Sequence, residues 1–188
     1  MPTIPADGDA VVAWARVDAP GLERLELLRD ASGWTLRGNI LLVHEGQPFE
    51  ARYGVSCDAD WVTRAVGIHV HGPGGHRSLR LAVEHGRWYD EGVEREVVRG
   101  CLDVDLGWTP STNTLPIRRL DLEVGQAKAV TAAWVRFPEL TLEPLPQEYL
   151  RLAERRYRYS SAGGRFVAEL EVDEQGLVTT YGQIWARR

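Results

Sequence analysis

The residues best suited to chemistry in this chain lie between Gly100 and Leu120, in the sequence GCLDVDLGWTPSTNTLPIRRL. Asp103 and Asp105 are separated by one residue, so on a β-strand their side chains project from the same face, with Cα atoms roughly 6.6 Å apart. On the concave side of a curved sheet, both carboxylates would enter one pocket. There they could accept hydrogen bonds from sugar hydroxyl groups or bind a cation. The alternative is a pair of acids on a solvated strand face.

A polar turn, residues 109–114, and two arginines follow the aspartates. If Thr112 to Leu120 is helical, Arg118 and Arg119 point about 100° apart. One arginine then pairs with an aspartate of the motif, and the other faces elsewhere. A buried ion pair of this kind needs good geometry and further hydrogen bonds to offset the loss of solvation. Such an ion pair would hold the helix in place or form part of a ligand site, and the two roles are compatible.

The elements that would position these residues are mostly strands. Apolar and polar side chains alternate over residues 49–56, 79–84 and 165–172, which is typical of half-buried strands. Segments rich in Gly, Pro, Asp and Ser separate strand-like runs and predict hairpins; they are residues 30–33, 44–48, 72–75 and 173–176. The sequence therefore predicts a mostly β (α+β) protein, one domain over residues 1–188, whose large antiparallel sheet curls because a flat one would expose its edges.

Two segments show helical spacing of apolar residues. Gln147–Arg156 follows two prolines and places Tyr149, Leu150 and Ala153 on one side. In Thr112–Leu120, Thr112, Asn113 or Thr114 could cap the helix and Pro116 fits its first turn. The segment Thr112–Leu120 is short, so tertiary packing must stabilise a helix there.

Composition excludes several classes of protein. The chain has 188 residues, 44% of them hydrophobic, and a net charge of −5, which disfavours nucleic acid and anionic membranes as partners. No window reaches the roughly 18 uncharged apolar residues of a membrane-spanning helix, and residues 1–7 lack the basic and apolar regions of a secretion signal. We therefore expect a cytoplasmic protein with no nucleic-acid partner and no stable insertion into membranes.

Histidines and cysteines add little chemistry. His69 and His71 share one strand face and His76 follows a glycine-rich turn. Such pairs of histidines occur in some metal sites, but no carboxylate follows them at a spacing typical of a metal ligand. We predict a solvated strand end, with no metal and no cofactor. Cys57 and Cys101 are too few for a disulfide framework and are expected to be small buried apolar residues; the sequence does not show whether they touch.

The motif from Gly100 to Leu120 resembles the core motif of the bacterial putative glycolipid-binding family. The likeness extends from about Trp14 to Arg188; its flanking matches are Tyr53–Asp58, Trp61, Thr63, Arg64, Ala133–Pro138, Gln147–Tyr149, Tyr157–Tyr159, Phe166–Leu170 and Val172–Val178. The resemblance implies a large antiparallel sheet wrapped around a single helix, remotely like bacterial lipoprotein-localization factors. It also implies a tight homodimer and an acidic pocket, and it favours Thr112–Leu120 as the helix.

The residue types and the resemblance together predict a protein that binds a glycolipid, a sugar-headed amphiphile, with a role in glycolipid or cell-envelope metabolism. The sugar head needs hydrogen-bond acceptors and aromatic faces, and the tail needs an apolar trough. The predicted ligand-binding residues are Asp103, Asp105, Asn113, Arg118, Trp134, Tyr157 and Tyr159, and no residue is predicted to be catalytic.

Two alternatives stay open: a carboxylate-dependent glycoside or glycolipid hydrolase using Asp103 and Asp105, and a purely structural homodimer. Glycosidase carboxyl groups flank the scissile bond. Neighbours on one strand approach it from the same side, which favours binding over hydrolysis.

Overall fold

The computed structural model of the protein describes residues 8–188. Residues 1–7, on which the expectation of no secretion signal rests, lie outside the described residues. The described chain forms fifteen strands: β1 (Ala10–Arg16), β2 (Gly21–Asp30), β3 (Gly33–His44), β4 (Gln47–Cys57), β5 (Thr63–Gly72), β6 (Gly75–Glu84), β7 (Arg87–Asp90), β8 (Val93–Glu94), β9 (Val104–Leu106), β10 (Ala127–Val135), β11 (Leu142–Ala153), β12 (Arg156–Ser161), β13 (Phe166–Val172), β14 (Val178–Tyr181) and β15 (Trp185–Arg187). Its one α-helix is α1 (Thr114–Leu120), and 3₁₀ turns occupy Glu96–Val98, Ser111–Asn113 and Ala162–Gly164.

All fifteen strands belong to one sheet. Its order is β8 back to β1, then β15 back to β9. The first and last strands of residues 8–188 are therefore neighbours, with Trp14 opposite Arg187. Every pairing is antiparallel except that of β9 with β10, so the mostly β prediction is confirmed.

Side-chain alternation decides which face of the sheet turns inward. On β4, Phe49, Ala51, Tyr53 and Val55 are buried while Arg52 is exposed. The same pattern holds along β6, and all four predicted hairpins form, joining β2 to β3, β3 to β4, β5 to β6 and β13 to β14.

Helix α1 lies inside the curled sheet. The chain enters it through the 3₁₀ turn Ser111–Asn113, and Pro116 falls in the first turn as predicted. Leu115 packs in the large core formed mainly by β1–β7, whereas Ile117 packs in a second core with residues of β11–β14. The helix therefore separates two apolar cores, which confirms a sheet wrapped around one short helix.

The predicted capping of this helix is wrong. No side chain caps its N-terminus, because the three candidate side chains bind other parts of the protein. The Thr112 hydroxyl accepts a hydrogen bond from the Leu106 amide, and the Thr114 hydroxyl donates to the Gly176 carbonyl.

The helix considered at Gln147–Arg156 is also wrong. Those residues lie in β11 and at the start of β12, and Gln147, Tyr149 and Arg151 alternate with outward-facing neighbours. Three apolar residues in a short window are compatible with the spacing of a helix and with the alternation of a strand. The segment is a strand because β11 pairs with β10 and β12.

The segment between β8 and β9 crosses from one edge of the sheet to the other. The Gly100 amide donates to the Gly86 carbonyl, and the Thr63 amide donates to the Leu102 carbonyl. This crossing brings Asp103 and β9 beside β10. Within residues 8–188, no helix is long and apolar enough to cross a membrane.

Candidate functional site

A cavity of about 490 Å³ opens where β9 and β10 meet the ends of β12–β15 and the last residues of β1. Its lining combines two carboxylates, a side-chain amide and five aromatic rings. Its lining residues include Asp105, Asn113, Trp134, Tyr159, Phe166, Tyr181 and Trp185, with Arg16, Asp18 and Arg165 as further charged groups.

Asp105 contributes a half-buried carboxylate to this cavity. The Gln147 amide donates to its Oδ2 atom at 2.5 Å, and the Tyr159 hydroxyl donates to the same oxygen at 3.4 Å. No hydrogen bond from a described residue reaches Oδ1. Burial raises the pKa of Asp105 to about 6, and the hydrogen bonds from Gln147 and Tyr159 oppose the rise.

A chain of hydrogen bonds fixes the orientation of Asp105. Asn113 Nδ2 donates to the Tyr149 hydroxyl at 2.9 Å, and that hydroxyl donates to Gln147 Oε1 at 3.5 Å. The Gln147 amide nitrogen is therefore turned toward Asp105. Burial raises the pKa of Tyr149 well above its usual value, so its hydroxyl stays protonated and able to donate.

Trp134 lies directly beside Asp105, because the two residues are partners in the parallel pairing of β10 with β9. A glycine makes this position possible: a Cβ atom on Gly107 would lie 2.7 Å from Trp134 Nε1. The Arg136 guanidinium lies 5.1 Å from the centroid of the indole ring. A carboxylate and an indole thus stand next to each other in the cavity wall.

An ion pair lies at the β1 side of the cavity. Arg16 donates to both carboxylate oxygens of Asp18, at 2.8 and 2.6 Å, and lies over the Trp185 ring at 5.7 Å. Arg165 is exposed and donates to the Ala162 carbonyl. Asp18 is consequently neutralised within the protein, unlike Asp105.

The family model described as "Putative glycolipid-binding" matches residues 11–187. The chain belongs to the Putative glycolipid-binding family. It is also similar to the crystal structure of a DUF1089 family protein from Pseudomonas aeruginosa, with 35% sequence identity and a TM-score of 0.83. That match covers 89% of this chain and 92% of the other. A search of curated proteins found no match.

Four of the seven residues predicted to bind ligand line the cavity of this Putative glycolipid-binding protein; they are Asp105, Asn113, Trp134 and Tyr159. Their assembly depends on the parallel contact between β9 and β10 and on the inward 3₁₀ turn.

Asp103 does not share that cavity with Asp105, contrary to the expectation that both acids enter one pocket. Asp103 is 1% exposed, and Arg119 donates to both of its oxygens, at 2.9 and 2.5 Å. It precedes β9, which begins at Val104, so strand alternation does not align the two acids. The prediction that one arginine pairs with an aspartate while its neighbour faces elsewhere is confirmed.

Arg118 and Tyr157 also lie away from the cavity. Arg118 lines a separate cavity of about 710 Å³, where its guanidinium lies 5.4 Å from the centroid of the Trp61 ring. Tyr157 is 1% exposed in the second core, under the Arg151 guanidinium. Tyr157 is therefore part of the core, and Arg118 belongs to a different cavity.

Sequence reasoning missed Glu23, a fully buried carboxyl on β2. The Tyr53 hydroxyl donates to its Oε1 atom, and the Thr109 hydroxyl donates to the same atom at 2.8 Å. Within the described residues Oε2 has no hydrogen-bond partner. Burial raises the pKa of Glu23 to about 7. The signal was present, because alternation along β2 puts Glu23 on the same face as Leu25 and Leu27.

The histidines and cysteines lie elsewhere. His69, His71 and His76 cluster at the hairpin between β5 and β6, with His69 Nδ1 3.4 Å from His76 Nε2. No group of three or more His, Cys, Asp or Glu side chains in the described part of the chain is arranged to hold a metal ion. Cys57 and Cys101 are buried and free, and burial raises the pKa of their thiols to about 12 and about 11.

Proposed function

We propose that this protein binds a glycolipid, with the sugar head in the cavity of about 490 Å³ that Asp105 and Trp134 line. The single observation that carries the proposal is Asp105 beside Trp134, with Oδ1 accepting no hydrogen bond from a described residue. A carboxylate oxygen accepts hydrogen bonds from sugar hydroxyls, and an indole packs against the apolar face of a sugar ring.

The rest of the cavity suits the remainder of such a ligand. Leu145, Phe166 and Ile184 supply apolar surface, and a pocket of several hundred Å³ with few polar groups is typical of small-molecule sites. Arg16 and Asp18 are paired with each other, so we place the head at Asp105 and Asn113 and the start of the tail against the apolar residues.

Hydrolysis receives less support. A glycosidase needs two carboxyl groups on either side of the scissile bond. Asp103 is bound by Arg119 outside the cavity, and Asp18, the other described acid in its lining, is bound by Arg16. Asp105 is left without a catalytic partner among the described lining residues, which favours binding.

The test uses octyl β-D-glucopyranoside, a sugar-headed amphiphile, titrated calorimetrically below its critical micelle concentration. We expect saturable binding that Asp105→Ala weakens about tenfold, because one charge-assisted hydrogen bond contributes roughly 1.5–3 kcal/mol. Glu148→Ala is the matched control, since Glu148 is an exposed acid on β11. Equal affinities of Asp105→Ala and wild type would contradict the assignment, as would the absence of binding by the wild type.

The homodimer and the cytoplasmic location remain proposals. Leu22 and Leu41 are opposite each other on β2 and β3 and are 56% and 62% exposed, which would suit contact with a second copy. Sedimentation equilibrium of the wild type and of Leu22→Glu checks the dimer: a monomeric wild type would contradict it, and a dimeric Leu22→Glu would exclude this surface.

A further inference from the structure

Asp105 differs from Asp103, Asp18 and Asp173 in lacking a cation. Asp103 is paired with Arg119, Asp18 with Arg16, and Asp173 with Arg187 at 2.7 Å. Asp105 instead receives hydrogen bonds from the uncharged Gln147 amide and Tyr159 hydroxyl. The protein therefore leaves one negative charge in the cavity wall uncompensated.

A desolvated carboxylate without a counter-ion is costly to keep ionised. The rise in the pKa of Asp105 reflects this cost, and no arginine acts to lower that pKa. Arg16 and Arg165 do line the cavity, but Arg16 is occupied by Asp18 and Arg165 is exposed. A ligand that brings a positive charge to Oδ1 would supply the missing counter-ion.

The walls around Asp105 are aromatic. The rings of Tyr159, Phe166 and Tyr181 contact one another edge-on, with centroids 5.9 to 6.2 Å apart, and all three line the cavity with Trp134. Aromatic rings attract cations, and ammonium groups are recognised by aromatic walls. Burial raises the pKa of Tyr159 and Tyr181, so their hydroxyls stay neutral and do not become anions themselves.

We propose that the head of the bound amphiphile carries a protonated amine, as in an amino sugar, and that this ammonium group pairs with Asp105 between the aromatic walls. The inference rests on the proposed function, because it assigns the chemistry of the head in the same cavity. An ammonium donates charge-assisted hydrogen bonds to Oδ1, which are about twice as strong as neutral ones. A hydroxyl or acetamido group at the same position offers no such charge.

Three octyl glycosides with the same ring and tail test the inference: octyl β-D-glucopyranoside, its 2-amino-2-deoxy analogue and its 2-acetamido-2-deoxy analogue. Calorimetric titration at pH 6.5 keeps the amine protonated and most of Asp105 ionised. We expect the amine to bind about tenfold more tightly than the other two, a difference of about 1.4 kcal/mol. Asp105→Asn should remove this preference, and Glu148→Gln, which removes an exposed charge from β11, should retain it.

The outcomes separate the two proposals. Equal binding of all three glycosides by the wild type would overturn the amine while leaving the glycolipid site in place. A preference for the amine that persists in Asp105→Asn would show that Asp105 does not recognise it and would equally overturn the inference. Failure of all three to bind the wild type would overturn both proposals.

Discussion

Replacement of Glu23 by glutamine tests whether a buried carboxyl makes this fold less stable as pH rises. Glu23 is 0% exposed, and burial raises its pKa from 4.5 to about 7. The folded state therefore holds the proton more tightly than the unfolded state. The stability that this proton provides is fully present below pH 4.5 and is lost as pH rises through about 7.

The expected change in unfolding free energy follows from the rise in the pKa of Glu23. A difference of 2.5 pKa units, from 4.5 to 7, at 1.36 kcal/mol per unit gives about 3 kcal/mol of unfolding free energy. Glu23→Gln does not titrate, so this loss is absent from the variant. Its amide oxygen can still accept the hydrogen bonds from Tyr53 and Thr109. The extra NH₂ group near the present Oε2 adds a cost that does not depend on pH.

Urea denaturation followed by tryptophan fluorescence, at intervals from pH 4.5 to 8.5, measures the difference between variant and wild type. We expect the unfolding free energy of Glu23→Gln relative to wild type to rise by about 3 kcal/mol across this range. Asp105 titrates in both proteins, so its contribution to the difference in unfolding free energy cancels. Glu148→Gln, at an exposed position, should show no such trend. A difference between Glu23→Gln and wild type that stays constant with pH would refute the reasoning.

Two further variants test the surroundings of the site. Gly107→Ala places a Cβ atom 2.7 Å from Trp134 Nε1 and should weaken binding of octyl β-D-glucopyranoside several-fold in calorimetric titration; Gly54→Ala, where the new Cβ meets no atom within 4 Å, should bind as wild type does. Arg119→Met leaves the Asp103 carboxylate buried without its partner and should lower the unfolding free energy by about 3–5 kcal/mol in urea, whereas an effect below about 1 kcal/mol would contradict a structural role for this pair.

Local patterns predicted seven of the fifteen described strands, from β2 to β6 with β13 and β14. The alternation over residues 49–56 and the turn at 173–176 involve neighbours in the chain, so the sequence displays them directly. The sheet order depends on contacts between distant residues, such as Trp14 with Arg187, and no local signal reports it. The mistaken helix at Gln147–Arg156 has the same cause, since its two partner strands decide its conformation.

The sequence predicted only part of the lining of the candidate cavity, because that lining also depends on contacts between distant residues. Asp105 and Trp134 share the cavity because β9 pairs in parallel with β10, a contact that spans 29 residues of sequence. Asp103 has the same residue type and nearly the same position, yet Arg119 binds it outside the cavity. Asp103 precedes β9, so strand alternation does not align the two acids. Glu23 is an acid on an apolar strand face, so the local alternation of β2 is the signal that reveals it.

The pairing of β1 with β15 also bears on how the protein folds. These strands are separated by nearly the whole described chain, yet they meet in the middle of the sheet. The meander from β2 to β8 can form from local contacts while a ribosome is still producing the second half. The pairing of β1 with β15 forms only after Trp185–Arg187 have been synthesised, and until then one edge of β1 is unpaired. Pairing of strands so far apart in the sequence has a high entropic cost of loop closure and slows folding. The unpaired edge of β1 is therefore where premature association between nascent chains would begin.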